Sequence, residues 1–162
     1  MSEEGQVLTQ YDKLHLVPFG EYIPLEHRFP FLRSAIGVPI GDFTAGKEFT
    51  IFKVPNSKYR FGALICFEDI FPKLVRRFKK DGADFMVNIT NDAWFMRTSA
   101  PYQHAQASVF RAIENRIPVV RAANTGFSCF IDSTGRIYDK VELGHEDIFV
   151  VGYKTSEIRI NK

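Results

Sequence analysis

Cysteine is scarce in this chain of 162 residues: there are two, Cys66 and Cys129, in different apolar segments. With no CxxC pair and no Cys/His spacing, neither a metal site nor a disulfide framework is signalled, and no cofactor is expected. Long hydrophobic runs are absent too, and the opening Met1-Ser2-Glu3-Glu4-Gly5 lacks the pattern of a signal peptide, so the chain as given is expected to be soluble. Nor is there an excess of one charge. Twenty-one basic and 19 acidic side chains leave a net charge of +2, and no basic run is interleaved with aromatics, which argues against nucleic acid as a partner. Internal repeats and linkers are missing, and 45% hydrophobic content suits one domain over residues 1–162. Phenylalanine is in surplus: there are 16, several in polar surroundings such as Arg28-Phe29-Pro30-Phe31-Leu32-Arg33, which suits a lipid or partner surface.

The periodicity predicts a mixed α/β fold. Strands are expected at 6–12, 50–54, 60–66 and 85–89, with an ordered loop from Leu16 to Thr50. A helix over 71–80 buries Leu74, Val75 and Phe78, and Asp81-Gly82 ends it, giving a β-α-β pattern with local parallel pairing. A second helix over 100–116 is expected to turn Ala107, Phe110, Ala112 and Ile113 inward, with His104 as a packing or hydrogen-bonding residue. Short strands follow near 118–123, 127–132, 136–142 and 147–152, Cys129 lying in the core.

Cys66 stands where the apolar run Phe61-Gly62-Ala63-Leu64-Ile65 meets a helix-like segment. An elbow of this kind presents a nucleophile: the turn's N–H groups can stabilise an oxyanion and the helix N-terminus favours the thiolate. An isolated cysteine in an apolar run is more often an inert core thiol, so the rest of the chain must decide.

Three segments do so: Tyr11-Asp12-Lys13-Leu14-His15-Leu16-Val17-Pro18-Phe19-Gly20-Glu21-Tyr22-Ile23-Pro24, the Cys66-Phe67-Glu68 elbow, and Asn88-Ile89-Thr90-Asn91-Asp92-Ala93-Trp94-Phe95 running on to His104. Together with Arg111-Ala112-Ile113-Glu114-Asn115-Arg116 and Arg121-Ala122-Ala123-Asn124-Thr125-Gly126, they resemble the nitrilase (carbon–nitrogen hydrolase) superfamily and, within it, the periplasmic catalytic domain of the apolipoprotein N-acyltransferases. The resemblance implies an α-β-β-α sandwich, here truncated at its amino-terminal side and without the family's membrane helices. It implies Cys66 as nucleophile, Lys13 as oxyanion partner and Glu21 as a further active-site carboxylate. Phe67 would supply a backbone N–H and Glu68 would hold the elbow. Tyr22, Asn91, Asp92, Trp94 and Phe95 are candidates for the substrate pocket, Trp94 and Phe95 reading equally well as interior aromatics and Asn91 and Asp92 as a strand-end turn.

For the intact parent, the resemblance implies transfer of a fatty acyl group from a phospholipid, through a thioester on Cys66, to the amine of a diacylglyceryl-cysteine lipoprotein. It places that parent in the bacterial inner membrane with the catalytic domain facing the periplasm, the stretch from Phe29 to Phe52 lying over the site or against the bilayer surface. The family's general-base Glu has no match here, since Glu3 and Glu4 sit in a polar leader, so this chain is expected to be weakly active or inactive. Its uncovered sheet edges offer pairing with a second copy. Two other readings stay open: a soluble amidase or nitrilase cleaving a small carbon–nitrogen substrate through the same thioester, and a non-catalytic fragment or interaction module.

Overall fold

A computed structural model describes residues 6–7, 9–29, 31–36 and 41–160. The chain forms two compact units, one made by Asp12–Glu48 and the other by Phe49 onward together with the residues up to Tyr11.

The larger unit is built on a six-stranded sheet: β1 (Ile51–Lys53), β2 (Arg60–Ile65), β3 (Phe85–Asn91), β4 (Val119–Asn124), β5 (Cys129–Ile131) and β6 (Ile137–Tyr138), in chain order across the sheet. β2, β3 and β4 are parallel, while β1, β5 and β6 run antiparallel to their neighbours. Each parallel connection carries a helix, α2 (Pro72–Lys80) between β2 and β3 and α3 (Ala100–Asn115) between β3 and β4. Parallel strands need such crossovers, and the expected β-α-β pattern is found.

Register puts Leu64, Asn88 and Arg121 in one row across the sheet, on the same face as Gly62, Met86, Val119, Cys129 and Ile131. The helices cover this face. Leu74, Val75 and Phe78 of α2 are buried as the pattern predicts. Gly62 is small for a reason: a Cβ there would meet Phe78 Cδ1 at 2.7 Å and Met86 Cε at 2.8 Å. The opposite face is lined by a ladder of stacked rings, Phe52 on Phe61 at 5.1 Å and Phe61 on Phe85 at 5.3 Å, and it leaves Ile89 about half exposed.

Several expectations are corrected. The described residues of 6–12 form no strand: Tyr11 and Gln10 spend hydrogen bonds on the Glu68 carboxylate and the Thr50 hydroxyl. No strand forms at 147–152 either, because Phe149 adopts φ 56°, which interrupts an extended chain, and its N–H donates to Thr125 O. Of the four side chains expected inward on α3, Ala112 is buried and Ala107 half-buried, while Phe110 and Ile113 stay largely exposed; Pro101, His104, Ala105, Ser108, Val109 and Arg111 complete a buried face that mixes polar with apolar groups.

In the smaller unit, the stretch after Leu16 is mostly turns, with one short helix α1 (Phe31–Ile36) that anchors Arg33 to Glu26. Phe29, Phe31 and Phe43 are exposed. Phe49 and Phe52 belong instead to the sheet unit, packed on Phe78 and Phe61, so the exposed part of the Phe-rich stretch is shorter than the sequence suggests.

Candidate active site

The carboxyl ends of the parallel strands form the candidate site, the usual place for ligands in open α/β sheets. β2 ends at Ile65, and Cys66 turns the chain into a 3₁₀ helix, Cys66–Ile70, with φ 55° at Cys66. A left-handed conformation is costly for a residue with a Cβ and persists only where the surroundings impose it. They do so here from several sides. The carboxylate of fully buried Glu68 accepts the Ile65 N–H at 2.8 Å and the Tyr11 hydroxyl at 2.9 Å, and Asn88 Nδ2 donates to Cys66 O at 3.3 Å. The Cys66 thiol itself is free and half-buried.

β3 leads into a second turn. Asn91 Oδ1 accepts the Ala93 N–H at 3.2 Å and Asn124 Nδ2 at 3.0 Å, tying this turn to the end of β4. Trp94 is 87% exposed and therefore no interior aromatic. Phe95 is half-buried, its ring edge-on to Phe67 at 5.9 Å and to His104 at 6.1 Å.

Beneath these two turns lies a closed set of buried charges. Arg121 donates to Asp69 Oδ2 at 2.9 Å and to Asp92 Oδ2 at 3.0 Å, and all three side chains are fully buried. His104 lies between the same carboxylates, Nδ1 at 2.8 Å from Asp92 Oδ1 and Nε2 at 3.1 Å from Asp69 Oδ1. The Ser108 hydroxyl donates to Asp69 and that of Thr90 to Asp92, and Arg111 donates to the backbone carbonyls of Asp69 and Ile70. Gly126, just after β4, approaches so closely that a Cβ there would collide with the Asp92 carboxylate. Burial works against charge on His104, but the hydrogen bonds its ring donates to Asp69 and Asp92 outweigh it and raise its pKa. Burial also favours neutral Asp92, yet the His104 hydrogen bond and the charge of Arg121 hold its carboxyl below the usual range. Cys129 is inert by contrast, burial pushing its thiol up to about 12.

Sequence reasoning assigned no role to Asp69, Ser108, Arg111 or Arg121. A usable signal was present: an arginine at the inward position of Val119-Val120-Arg121-Ala122-Ala123, and His104, Ser108 and Arg111 at helical spacing.

In the smaller unit, Lys13 Nζ donates to both oxygens of Glu21, at 2.6 and 2.8 Å, and the Val17 N–H donates to Glu21 Oε2 at 2.8 Å. The Lys13 side chain is nine-tenths buried, and Glu21 fixes its place. Tyr22 lines an open hollow of about 380 Å³ with Leu14, His15, Leu16, Phe43 and Ala45. The sheet unit thus holds Cys66, Phe67, Glu68, Asp92 and Phe95 at one end, and the smaller unit holds Lys13, Glu21 and Tyr22. Among the described residues no cluster of His, Cys, Asp and Glu has the makings of a metal site, and no helix is long and apolar enough to cross a membrane.

Comparison with known proteins agrees with this geometry. The carbon–nitrogen hydrolase profile matches residues 1–159. Among curated proteins, the chain is 49% identical over 148 residues to the apolipoprotein N-acyltransferase of Geobacter metallireducens, covering 91% of this chain and 28% of the relative. It is 40% identical over 143 residues to that of Rickettsia prowazekii, covering 88% and 28%. The chain therefore spans a little over a quarter of the length of these relatives. Among solved structures, Saccharomyces cerevisiae Nit3, a nitrilase-superfamily member, superposes with TM-score 0.58 at 22% identity, over 89% of this chain and 48% of that one. An amidase from Nesterenkonia sp. gives 0.57 at 22%, over 86% and 49%. The α/β fold is thus nitrilase-like, with one helical layer on one sheet, and the chain belongs to the carbon–nitrogen hydrolase family.

Proposed function

We propose that this chain carries the acyl-accepting thiol of an apolipoprotein N-acyltransferase. The observation that carries the reading is Cys66 itself, a free thiol on a positive-φ elbow at the carboxyl end of a parallel strand, in a chain whose curated relatives bear that name.

In this proposal the Cys66 thiolate attacks the ester carbonyl of a phospholipid. The tetrahedral oxyanion collapses, the C–O bond breaks, and the lysophospholipid alkoxide leaves with a proton. The resulting thioester is opened by the amine of a diacylglyceryl-cysteine, which forms the amide and returns the thiol, so one hard transfer becomes two easier ones. The Phe67 N–H and the Lys13 ammonium are the proposed oxyanion donors, each worth about 3–4 kcal/mol if well aimed, and Glu21 holds Lys13 in place. Trp94, Phe95, Asn91, Asp92 and Tyr22 are proposed to border the acyl group. The chain has no carboxylate matched to the family's base, a group worth roughly a hundred- to ten-thousand-fold, so turnover by the chain alone is expected to be weak or nil.

We also propose that the intact parent works at the periplasmic side of the bacterial inner membrane, with exposed Phe29, Phe31 and Phe43 against lipid, and that the free edges of β1 and β6 admit a second copy. Unchanged aromatic fluorescence on adding phospholipid vesicles would sink the lipid contact.

The test of the thiol is stoichiometric and needs no turnover. After incubation with phosphatidylethanolamine or an activated acyl ester, intact-mass spectrometry is expected to show one acyl increment that disappears in Cys66→Ala. Failure of both donors to modify the folded protein would overturn the reading.

A further inference from the structure

His104 has no part in the chemistry above, yet its ring touches Phe67, Phe95, Asp69 and Asp92. It stacks nearly flat on Phe67, centroids 4.6 Å apart and planes 17° from parallel, and Phe95 meets it edge-on. Both ring nitrogens face carboxylate oxygens, Nδ1 that of Asp92 and Nε2 that of Asp69. A carboxylate only accepts, so both contacts are hydrogen bonds at once only if both nitrogens carry a proton. A neutral ring would set one lone pair against a buried carboxylate oxygen.

The charges facing His104 from each neighbouring element fit the imidazolium. Asp69 comes from the elbow, Asp92 from the end of β3 and Arg121 from β4. From its own helix, Arg111 turns to backbone carbonyls and Glu114, and Ser108 is a neutral donor to Asp69. Glu68 is engaged elsewhere, with Tyr11 and the Ile65 N–H. Two positive and two negative groups then balance in a space closed to water, which is the condition under which buried ions are tolerated.

Position gives this balance its meaning. Asp69 lies in the same 3₁₀ helix as Cys66, three residues on, and Asp92 immediately precedes the turn bearing Trp94 and Phe95. We propose that His104 is a positioning residue for the Cys66 site: a doubly hydrogen-bonded imidazolium that ties the nucleophile's elbow to the turn after β3 and seats the Phe67 ring, thereby setting the peptide N–H that follows the thiol. Loss of the proton breaks one of the two ties through His104, leaving Arg121 as the sole bridge between Asp69 and Asp92 and loosening the seat of the Phe67 ring. The raised pKa of His104 agrees, since the two carboxylates favour the imidazolium over the neutral ring.

This inference rests on Cys66 being the reactive thiol, and its test separates the two. Imidazole ¹⁵N NMR of the folded chain, with His104 assigned by the signal lost in His104→Phe, is expected to show both ring nitrogens protonated at neutral pH; a singly protonated ring would overturn the proposal. The second measurement is the pH profile of Cys66 alkylation by iodoacetamide. The wild-type chain is expected to show, beyond the thiol's own titration, an inflection that coincides with loss of the His104 proton. His104→Phe keeps the stack but not the ties and should remove that inflection, while slowing acylation of Cys66 by an activated ester about ten- to a hundredfold. A variant profile superimposable on wild type would mean that His104 only fills space. If the variant does not fold, His104 is assigned by elimination through single replacements of His15, His27 and His145, and the wild-type inflection and the NMR result decide. Should the inflection be present while no acyl donor modifies Cys66, the positioning role stands and the acyltransferase reading falls.

Discussion

Arg121 brings a full positive charge to the centre of the sheet, where neither it nor its two carboxylate partners is exposed. Such a group is expensive to bury and more expensive to orphan, so removing it should hurt more than removing an apolar neighbour. Arg121→Met is expected to lower the unfolding free energy by about 3–5 kcal/mol in urea denaturation, because Asp69 and Asp92 lose their shared cation. Arg121→Lys should recover little of it, since one ammonium cannot repeat the two-armed reach of a guanidinium. The two thiols offer a sharper contrast. Cys66 is half-exposed, whereas burial pushes Cys129 up to about 12, so iodoacetamide at mildly alkaline pH should label the folded chain once, at Cys66, as peptide mapping would show. At this scale the sequence was legible for Cys66 and its neighbours, whereas Asp69 went unremarked and Arg121, though it opens a quoted motif, was given no role. Their importance comes from meeting across 52 positions of chain, which no local pattern records.

Among the elements, α2 and β2 show the interlock most simply. Phe78 rests on Gly62 with no room for a methyl group, so Gly62→Ala is expected to cost about 1–3 kcal/mol by overpacking, read as a lower thermal midpoint. α2 was predictable because its buried side chains are the apolar ones. α3 was predictable as a helix and not as to its face. Hydrophobic periodicity assumes that the inward side is oily, whereas this helix turns His104, Ser108 and Arg111 inward to meet the carboxylates and leaves Phe110 and Ile113 largely outside. The final expected strand failed for another reason, a left-handed Phe149 that nothing in its sequence announces.

For the molecule as a whole, the buried charges set a pH window. His104 has a raised pKa in the fold, so its stabilisation is complete below the pKa of an unfolded histidine and is lost as pH rises through the folded value. Asp92 is lowered, so its contribution is present above the unfolded carboxyl pKa and is lost as pH falls through the lowered one. Urea midpoints measured across pH should therefore form a plateau between the unfolded carboxyl and histidine pKa values, about pH 4 to 6.5, falling on both sides, with the alkaline fall flattened in His104→Phe. The order of the strands has a consequence for how such a sheet comes into being. Each strand lies beside the one made just before it, so during synthesis every new strand finds its partner already waiting. The charges do not share this convenience. Asp69 and Asp92 leave the ribosome well before Arg121 does, and must stay hydrated until it arrives. Assembly of the nucleophile's surroundings is thereby deferred to the fourth strand, and a nascent chain stalled short of that residue would hold a sheet without a working elbow.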